Sequence, residues 1–370
     1  MDKKFLVDYL KTDSPSTYEV EGQKSWIKQV SKLSLDITTD NYGNAFTVLK
    51  SKSPDGDKYK VVIDAHCDEI GWVISNITDD GFIYVKRNGG TDNEITPCTR
   101  VKILTDNIDE NGNTIKIKGT FGTVPIHLKN KETPTKPSED NIYIDVLGSS
   151  KEDVLNMGIE VGNYVVFDRD PEIVNGKYIV SKSLDDKIGG FVIAEVLRDL
   201  VEKNIDLPYD LYIVNSVQEE VGLRGAKMIT ETIKPDVAIC FDVCFDTNTP
   251  IVDKKKYGDF KMGEGVVFRS GSDVHPNMLK LMKKVAKDNA YSYKVSIGGG
   301  GGTNTYSYNL SNGGVISSTL SIPLRYMHTP NEVVALDDIQ TSINYLVDLL
   351  KNIKNGHDFR LVKWKNIYYS

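Results

Sequence analysis

Several short stretches of this chain place ionisable side chains directly after apolar runs. His66 and Asp68 follow KVVIDA in AHCDEIG, Glu219 and Glu220 follow LYIVNSV in VQEEVGLRGA, Asp242 closes DVAIC, and His328 lies beyond Ile322 in PLRYMHTPNE. Asp185 and Asp186, in SKSLDDKIGG, open an apolar-periodic stretch. Taken singly, each reads equally well as a satisfied core histidine, a capping aspartate pair or a solvated Glu–Glu, because charged residues make up 26% of the chain. Taken together they are harder to dismiss, since charge at the ends of buried strands is costly unless it is paired or coordinated. The chemistry that uses such a set is hydrolysis at two divalent cations. Zinc accepts imidazole nitrogen and carboxylate oxygen, and its catalytic sites keep a position open for water. Two ions about 3.5–4 Å apart share a bridging carboxylate and a hydroxide. Five ligands with one bridging suffice: His66, Asp185, Glu220, Asp242 and His328. Asp68, two residues after His66, suits an acceptor that fixes the imidazole tautomer. Glu219 is left as general base for the bound water.

The elements around these residues are legible from periodicity. KVVIDA reads as a buried strand, and after Val180 the rhythm is strand–helix–strand through LYIVNSV, DVAICFDV, VVF, KVSI and GVISSTLSI. Apolar residues at helical spacing mark helices around Ile188–Val201, 223–232, 278–289 and 336–353. Ser16 to Glu19 fits a capping box ahead of Trp26, Ile27, Val30 and Leu33. Between Gly71 and Val180 the texture is short alternating segments with Gly, Asn and Asp turns and one short helix near 150–157. This predicts an α/β fold with a mainly parallel, doubly wound sheet, formed by residues 1–70 and 180–370, interrupted by a β-rich insertion over 71–179. In open α/β sheets sites form outside the carboxyl ends of strands, where the residues named above fall.

Composition narrows the class. With 52 acidic against 45 basic residues the formal charge is −7, which disfavours a nucleic-acid partner. The N-terminal MDKKFLVDYLKTDSP lacks an apolar core for a signal peptide, and no run reads as a membrane span. Cys67, Cys98, Cys240 and Cys244 show no disulfide framework spacing, so the expected compartment is the cytoplasm. Cys240 and Cys244 flank Asp242 at strand spacing and read as packing before ligation. The run Gly298–Gly302 lacks the Gly-Lys-Ser/Thr of a phosphate loop. His127, His275 and His357 receive no role.

The motifs AHCDEIG, SLDDKIGG, VQEEVGLRGA, the Asp-Val of CFDVCFDTNTP, GGGGGTN and PLRYMHTPNEVV, in this order, resemble those of the tetrahedral, or glutamyl/leucyl, aminopeptidases. SPSTYE, NYGN and IDVLGSSKEDVLNMGIEVGNYVVF fit as well, so the likeness runs nearly end to end. The resemblance implies a metal-dependent aminopeptidase acting on peptides, with one metal on His66 and Asp242, the other on Glu220 and His328, and Asp185 bridging. It implies Glu219 as base, a cis Asp185–Asp186 bond, a PDZ-like insertion used in assembly, and dimers building a twelve-subunit particle. The metals are expected to be zinc, with cobalt or manganese as substitutes. One departure stands out: Thr303-Asn304 replaces the family's usual Thr-Asp, removing a negative charge from a loop beside the site.

Rival readings follow from the same residues. A glycosidase needs two carboxyls about 5–9.5 Å apart across the scissile bond and no metal. Adjacent Glu219 and Glu220 suit that poorly and leave the histidines idle. A non-catalytic peptide-binding scaffold, or a related two-metal deacylase or dipeptidase, are the remaining alternatives.

Overall fold

The computed structural model describes residues 1–53, 58–133, 136–298 and 302–363. In chain order the opening elements are α1 (Lys3–Leu10), α2 (Val20–Val30), β1 (Ile37–Thr39), β2 (Ala45–Leu49) and β3 (Lys60–His66). Six strands then close a barrel: β4 (Gly71–Ile77), β5 (Ile83–Asn88), β6 (Arg100–Ile108), β7 (Thr114–Phe121), β8 (Tyr143–Asp145) and β9 (Tyr164–Phe167). The helix α3 (Lys151–Asn156), capped by the Ser150 hydroxyl, lies between the last two. After β10 (Glu172–Val174) and β11 (Tyr178–Ser181) come α4 (Leu184–Glu202), β12 (Asp210–Ser216), α5 (Arg224–Ile233), β13 (Val237–Phe241), β14 (Cys244–Phe245) and α6 (Lys254–Tyr257). The chain ends with β15 (Val266–Ser270), α7 (Pro276–Asp288), β16 (Tyr293–Ile297), α8 (Thr305–Asn309), β17 (Ile316–Ser321), β18 (Pro323–Leu324), β19 (Glu332–Ala335) and α9 (Leu336–Asn352).

One eight-stranded sheet carries the fold, in the order β1-β2-β12-β3-β13-β17-β15-β16. Its four central strands, β12, β3, β13 and β17, are mutually parallel, whereas β2 joins β12 and β15 joins β17 antiparallel. The sheet is therefore mixed, and the parallel pairing expected from the sequence holds at its centre. Strand β3 shows why the centre is continuous and apolar: six of its seven residues are buried, because both faces are covered. Val61, Ile63 and Ala65 face a core shared with Ile188, Phe191 and Val192 of α4, while Val62 faces Ala226, Ile229 and Ile233 of α5. Each such buried valine, isoleucine or phenylalanine contributes about 1.5–3 kcal/mol. The barrel packs its own core, in which Trp72 meets Phe121 and Phe167 edge-on at 4.9 and 5.1 Å. Strand β11 pairs with β10 on one side and β19 on the other in a separate three-stranded sheet.

One local reading changes. The capping box does not form: α2 starts after Glu19 without a side-chain cap. Ser16 donates instead to Asp68 at 2.7 Å, and Glu19 accepts from the amides of Thr17 and Gln218. Helices α1 and α8 carry no strong sequence signal, being eight and five residues long. Of the Gly298–Gly302 run, positions 299–301 lie outside the described residues. Among the described residues no helix is long and apolar enough to cross a membrane.

Candidate active site and metal centre

The four parallel strands end side by side, and each delivers a site residue. His66 is the last residue of β3, Glu219 and Glu220 follow β12, Asp242 follows β13, and the chain reaches His328 beyond β17 and β18. Asp185 stands at the start of α4, where the Asp185–Asp186 peptide is cis. His66 Nε2 lies 3.3 Å from Asp185 Oδ1 and 3.9 Å from Glu219 Oε2. His328 Nε2 lies 3.3 Å from Asp185 Oδ2 and 3.2 Å from Glu220 Oε1. Asp185 thus turns one oxygen toward each imidazole. Ligand atoms of His66, Glu219 and Asp242 lie within 4.8 Å of one another, as do those of His66, Asp185 and Glu220.

Asp68 does more than the sequence suggested. His66 Nδ1 is 3.1 Å from the Asp68 carbonyl and 3.4 Å from its carboxylate, so the nearer acceptor is backbone. The carboxylate instead accepts from the amides of Glu219 (3.0 Å) and Glu220 (3.1 Å) and from the Ser16 hydroxyl. It holds the backbone from which both glutamates project.

The electrostatics of the cluster are lopsided. Burial, reinforced by Asp185 and Glu220, pushes Asp242 up to about 8. Burial, with Asp242, Glu220 and Asp68 adding repulsion, pushes Glu219 well above the usual carboxylate range. Asp186 is raised by burial and by Asp242. Two acids go the other way: burial opposes Asp185, but His328 and His66 hold it low, and burial likewise opposes Asp68, which His66 and Ser16 hold low. Burial would lower His328, yet Asp185 and Glu220 outweigh it and raise the imidazole to about 12. Acids forced toward their protonated forms beside imidazoles that retain protons describe a donor set short of positive charge. Divalent cations fit that set by both donor chemistry and spacing.

The sequence profile of the M42 glutamyl aminopeptidases matches residues 43–345. This chain belongs to the M42 peptidase family. Among relatives, the glutamyl aminopeptidase of Lactococcus lactis is 30% identical over 92% of this chain and 94% of its own. The Desulfurococcus kamchatkensis aminopeptidase superposes with a TM-score of 0.86 at 30% identity, covering 95% of this chain and 94% of that one. The Pyrococcus horikoshii TET1 peptidase, described as assembling into a tetrahedron or a large octahedral shell, gives 0.82 at 25% identity, with 95% and 99% covered.

Against this M42 background, two features of the site were not legible in its motifs. Glu332, buried at the start of β19, accepts from the amide of Asp185 at 3.2 Å and that of His328 at 2.7 Å. Its sequence context, an acid between a Pro-Asn turn and two valines, signals only a strand start. The second is the meaning of Asn304. Its amide donates to Asp64 Oδ2 and to the Ser216 hydroxyl, both at 2.9 Å. Asp64 is a buried carboxylate already raised to about 7 by burial. An acid at position 304 would face it directly, so the amide suits this M42 chain. The unassigned histidines lie elsewhere: His127 in a short barrel turn, His275 at the N-cap of α7, and His357 stacked on Phe359. Burial raises the thiols of Cys240 and Cys244, which disfavours thiolate ligation.

Proposed function

We propose that this chain, a metal-dependent aminopeptidase, cleaves N-terminal residues from peptides at a pair of divalent cations. The observation that carries this is the placement of Asp185 with one carboxylate oxygen toward each of two imidazoles. In this reading His66 and Asp242 hold one cation, Glu220 and His328 the other, and Asp185 bridges. Zinc is the favoured metal, with cobalt or manganese as functional substitutes. When bound, the cations supply Lewis acidity and charge stabilisation at the scissile carbonyl. Glu219 takes the proton of the attacking water at its carboxylate and returns it to the leaving amine. Burial and acidic neighbours raise its affinity for that proton, as a base that must later act as an acid requires. Asp68 keeps Glu219 and Glu220 at their posts through their amides.

We further read residues 1–70 and 180–370 as a catalytic unit with a doubly wound sheet, and 71–179 as a PDZ-like insertion serving assembly. Dimers combining into a dodecamer, in the cytoplasm, complete the proposal. The test is a panel of aminoacyl chromogenic substrates assayed after chelation and repletion with zinc, cobalt or manganese. Turnover that returns with metal and disappears when the substrate amine is acetylated supports an aminopeptidase. Cleavage that persists on acetylated substrates points to a deacylase. No turnover with any metal supports a non-catalytic scaffold.

A further inference from the structure

The last residue of β5, Asn88, and the turn after it, Gly89–Thr91, belong to the barrel, yet they lie against the side chains at the ends of the central sheet. The Gly90 carbonyl is 2.9 Å from His328 Nδ1 across 238 residues of sequence. The Asn88 amide donates to the Ser16 carbonyl at 2.9 Å, and the Ser16 hydroxyl donates to Asp68. A Cβ added at Gly89 would lie 2.9 Å from Cγ2 of Ile70 and 3.3 Å from Cβ of Glu220. One added at Gly90 would lie 3.0 Å from both Cε1 and Nδ1 of His328, with nothing else within 4 Å. Of the five candidate ligands, the two this turn reaches are the pair assigned to one cation.

We propose that the barrel completes the catalytic centre: the Gly90 carbonyl orients His328, and the missing side chain of Gly90 is the space its ring needs. A carbonyl only accepts, so this contact requires a proton on Nδ1. In the neutral ring that leaves the lone pair on Nε2, the atom facing Asp185 and Glu220. His66 is arranged differently, since its Nδ1 is served by the Asp68 carbonyl two residues away. One imidazole is thus oriented by its own segment and the other by the barrel. Gly90 is a positioning residue, and a shift of the barrel against the sheet would reach the site through it. The inference rests on the reading that His328 holds a cation.

Gly90→Ala is a clean probe, because Gly90 is outside the left-handed region and its only close neighbour in the Cβ direction is the imidazole. Zinc affinity of the metal-stripped full chain is measured by chelator competition for wild type, Gly90→Ala, Asn88→Ala and His328→Ala. Ring-nitrogen NMR of zinc-loaded wild type reports the His328 tautomer. The expected result is an Nδ1–H tautomer and zinc affinity weakened about 10–100-fold in Gly90→Ala. Its unfolding temperature without metal should be unchanged. Asn88→Ala, which frees the turn without touching the ring, should weaken affinity less and covers the case of a poorly folding Gly90→Ala. Wild-type affinity in both turn variants while His328→Ala binds weakly overturns the proposal, as does an Nε2–H tautomer. Wild-type affinity in His328→Ala removes the ligand assignment itself, and the inference with it.

Discussion

Two buried charge clusters sit side by side in this molecule and are built on opposite principles. In one, Asp13, Glu21 and Glu69 meet Lys102, Lys116, Lys182 and Lys187, with Lys182 on Asp13 at 2.9 Å and Lys116 on Asp13 at 2.6 Å. These residues come from the loop before α2 and α2 itself, the link after β3, barrel strands β6 and β7, and the link into α4 with the first turn of that helix, so the cluster ties the barrel to the sheet. In the other, Asp68, Asp185, Asp186, Glu219, Glu220, Asp242 and Glu332 are gathered around two imidazoles. The first is closed by its own lysines. The second leaves acids facing acids, which is costly in a buried setting unless a cation joins them. Neighbouring residues 68 and 69 belong one to each cluster, so adjacency in sequence does not decide the role. The partners do.

Five substitutions sharpen that contrast. Glu219→Gln removes the proposed base while keeping its shape, and kcat should fall about 10²–10⁴-fold with metal content unchanged. Unchanged turnover in this variant would end the assignment of Glu219. Lys182→Met leaves Asp13 and Glu69 short of a partner in the balanced cluster. It should destabilise the fold by about 3–5 kcal/mol in denaturant titration, equally with and without zinc. If zinc removes the deficit, the two clusters are not separate.

The same cluster has a defined pH signature. Burial opposes ionisation of Asp13, but Lys182, Lys102 and Lys116 outweigh it and hold the acid well below 3.8. A depressed acid contributes stability above its ordinary value and loses it as pH falls through the folded one. Burial opposes the charge of Lys182 too, but Asp13 and Glu69 raise it above 10.5, so its share is present below that value and lost above. The stability penalty of Asp13→Asn should therefore be flat from about pH 5 to 9 and shrink in strong acid. A penalty that instead changes steadily across that plateau would contradict the pairing.

Glu332→Gln is isosteric but keeps only one accepting oxygen for two amides, so zinc affinity should weaken about 10–100-fold with little change in fold. Wild-type affinity would make Glu332 a packing residue. The smallest effect belongs to Asn304→Asp, which sets a second carboxylate against Asp64. It should lower stability by about 1–3 kcal/mol. Both acids are then raised, so the loss grows as pH rises from about 5 to 8. A stability profile identical to wild type would show that the Asn304–Asp64 contact does not matter.

What the sequence disclosed follows from this physics. The residues closing buried strands were visible because period and burial place them: His66, Glu219, Glu220 and Asp242 each end a run that must be interior. The mixed edges of the sheet were not visible, since β2 and β15 look apolar whichever way they run. Glu332, Ser16 and Gly90 escaped for a different reason. Each has a partner at least 52 residues away, and no local pattern encodes an acid that clamps a nearby amide, that of His328, to a distant one, that of Asp185. Ser16 illustrates the competition, because its capping pattern is genuine but its hydroxyl is taken by Asp68.

The central claim is that the acid-rich cluster is completed by two divalent cations. Its most direct test is a calorimetric zinc titration of the metal-stripped chain, with metal counted per chain by elemental analysis and the unfolding temperature followed alongside. The account predicts two equivalents bound, a raised unfolding temperature, and loss of one equivalent in His328→Ala. Uptake of no zinc, or uptake unaffected by removing His66 or His328, would contradict it.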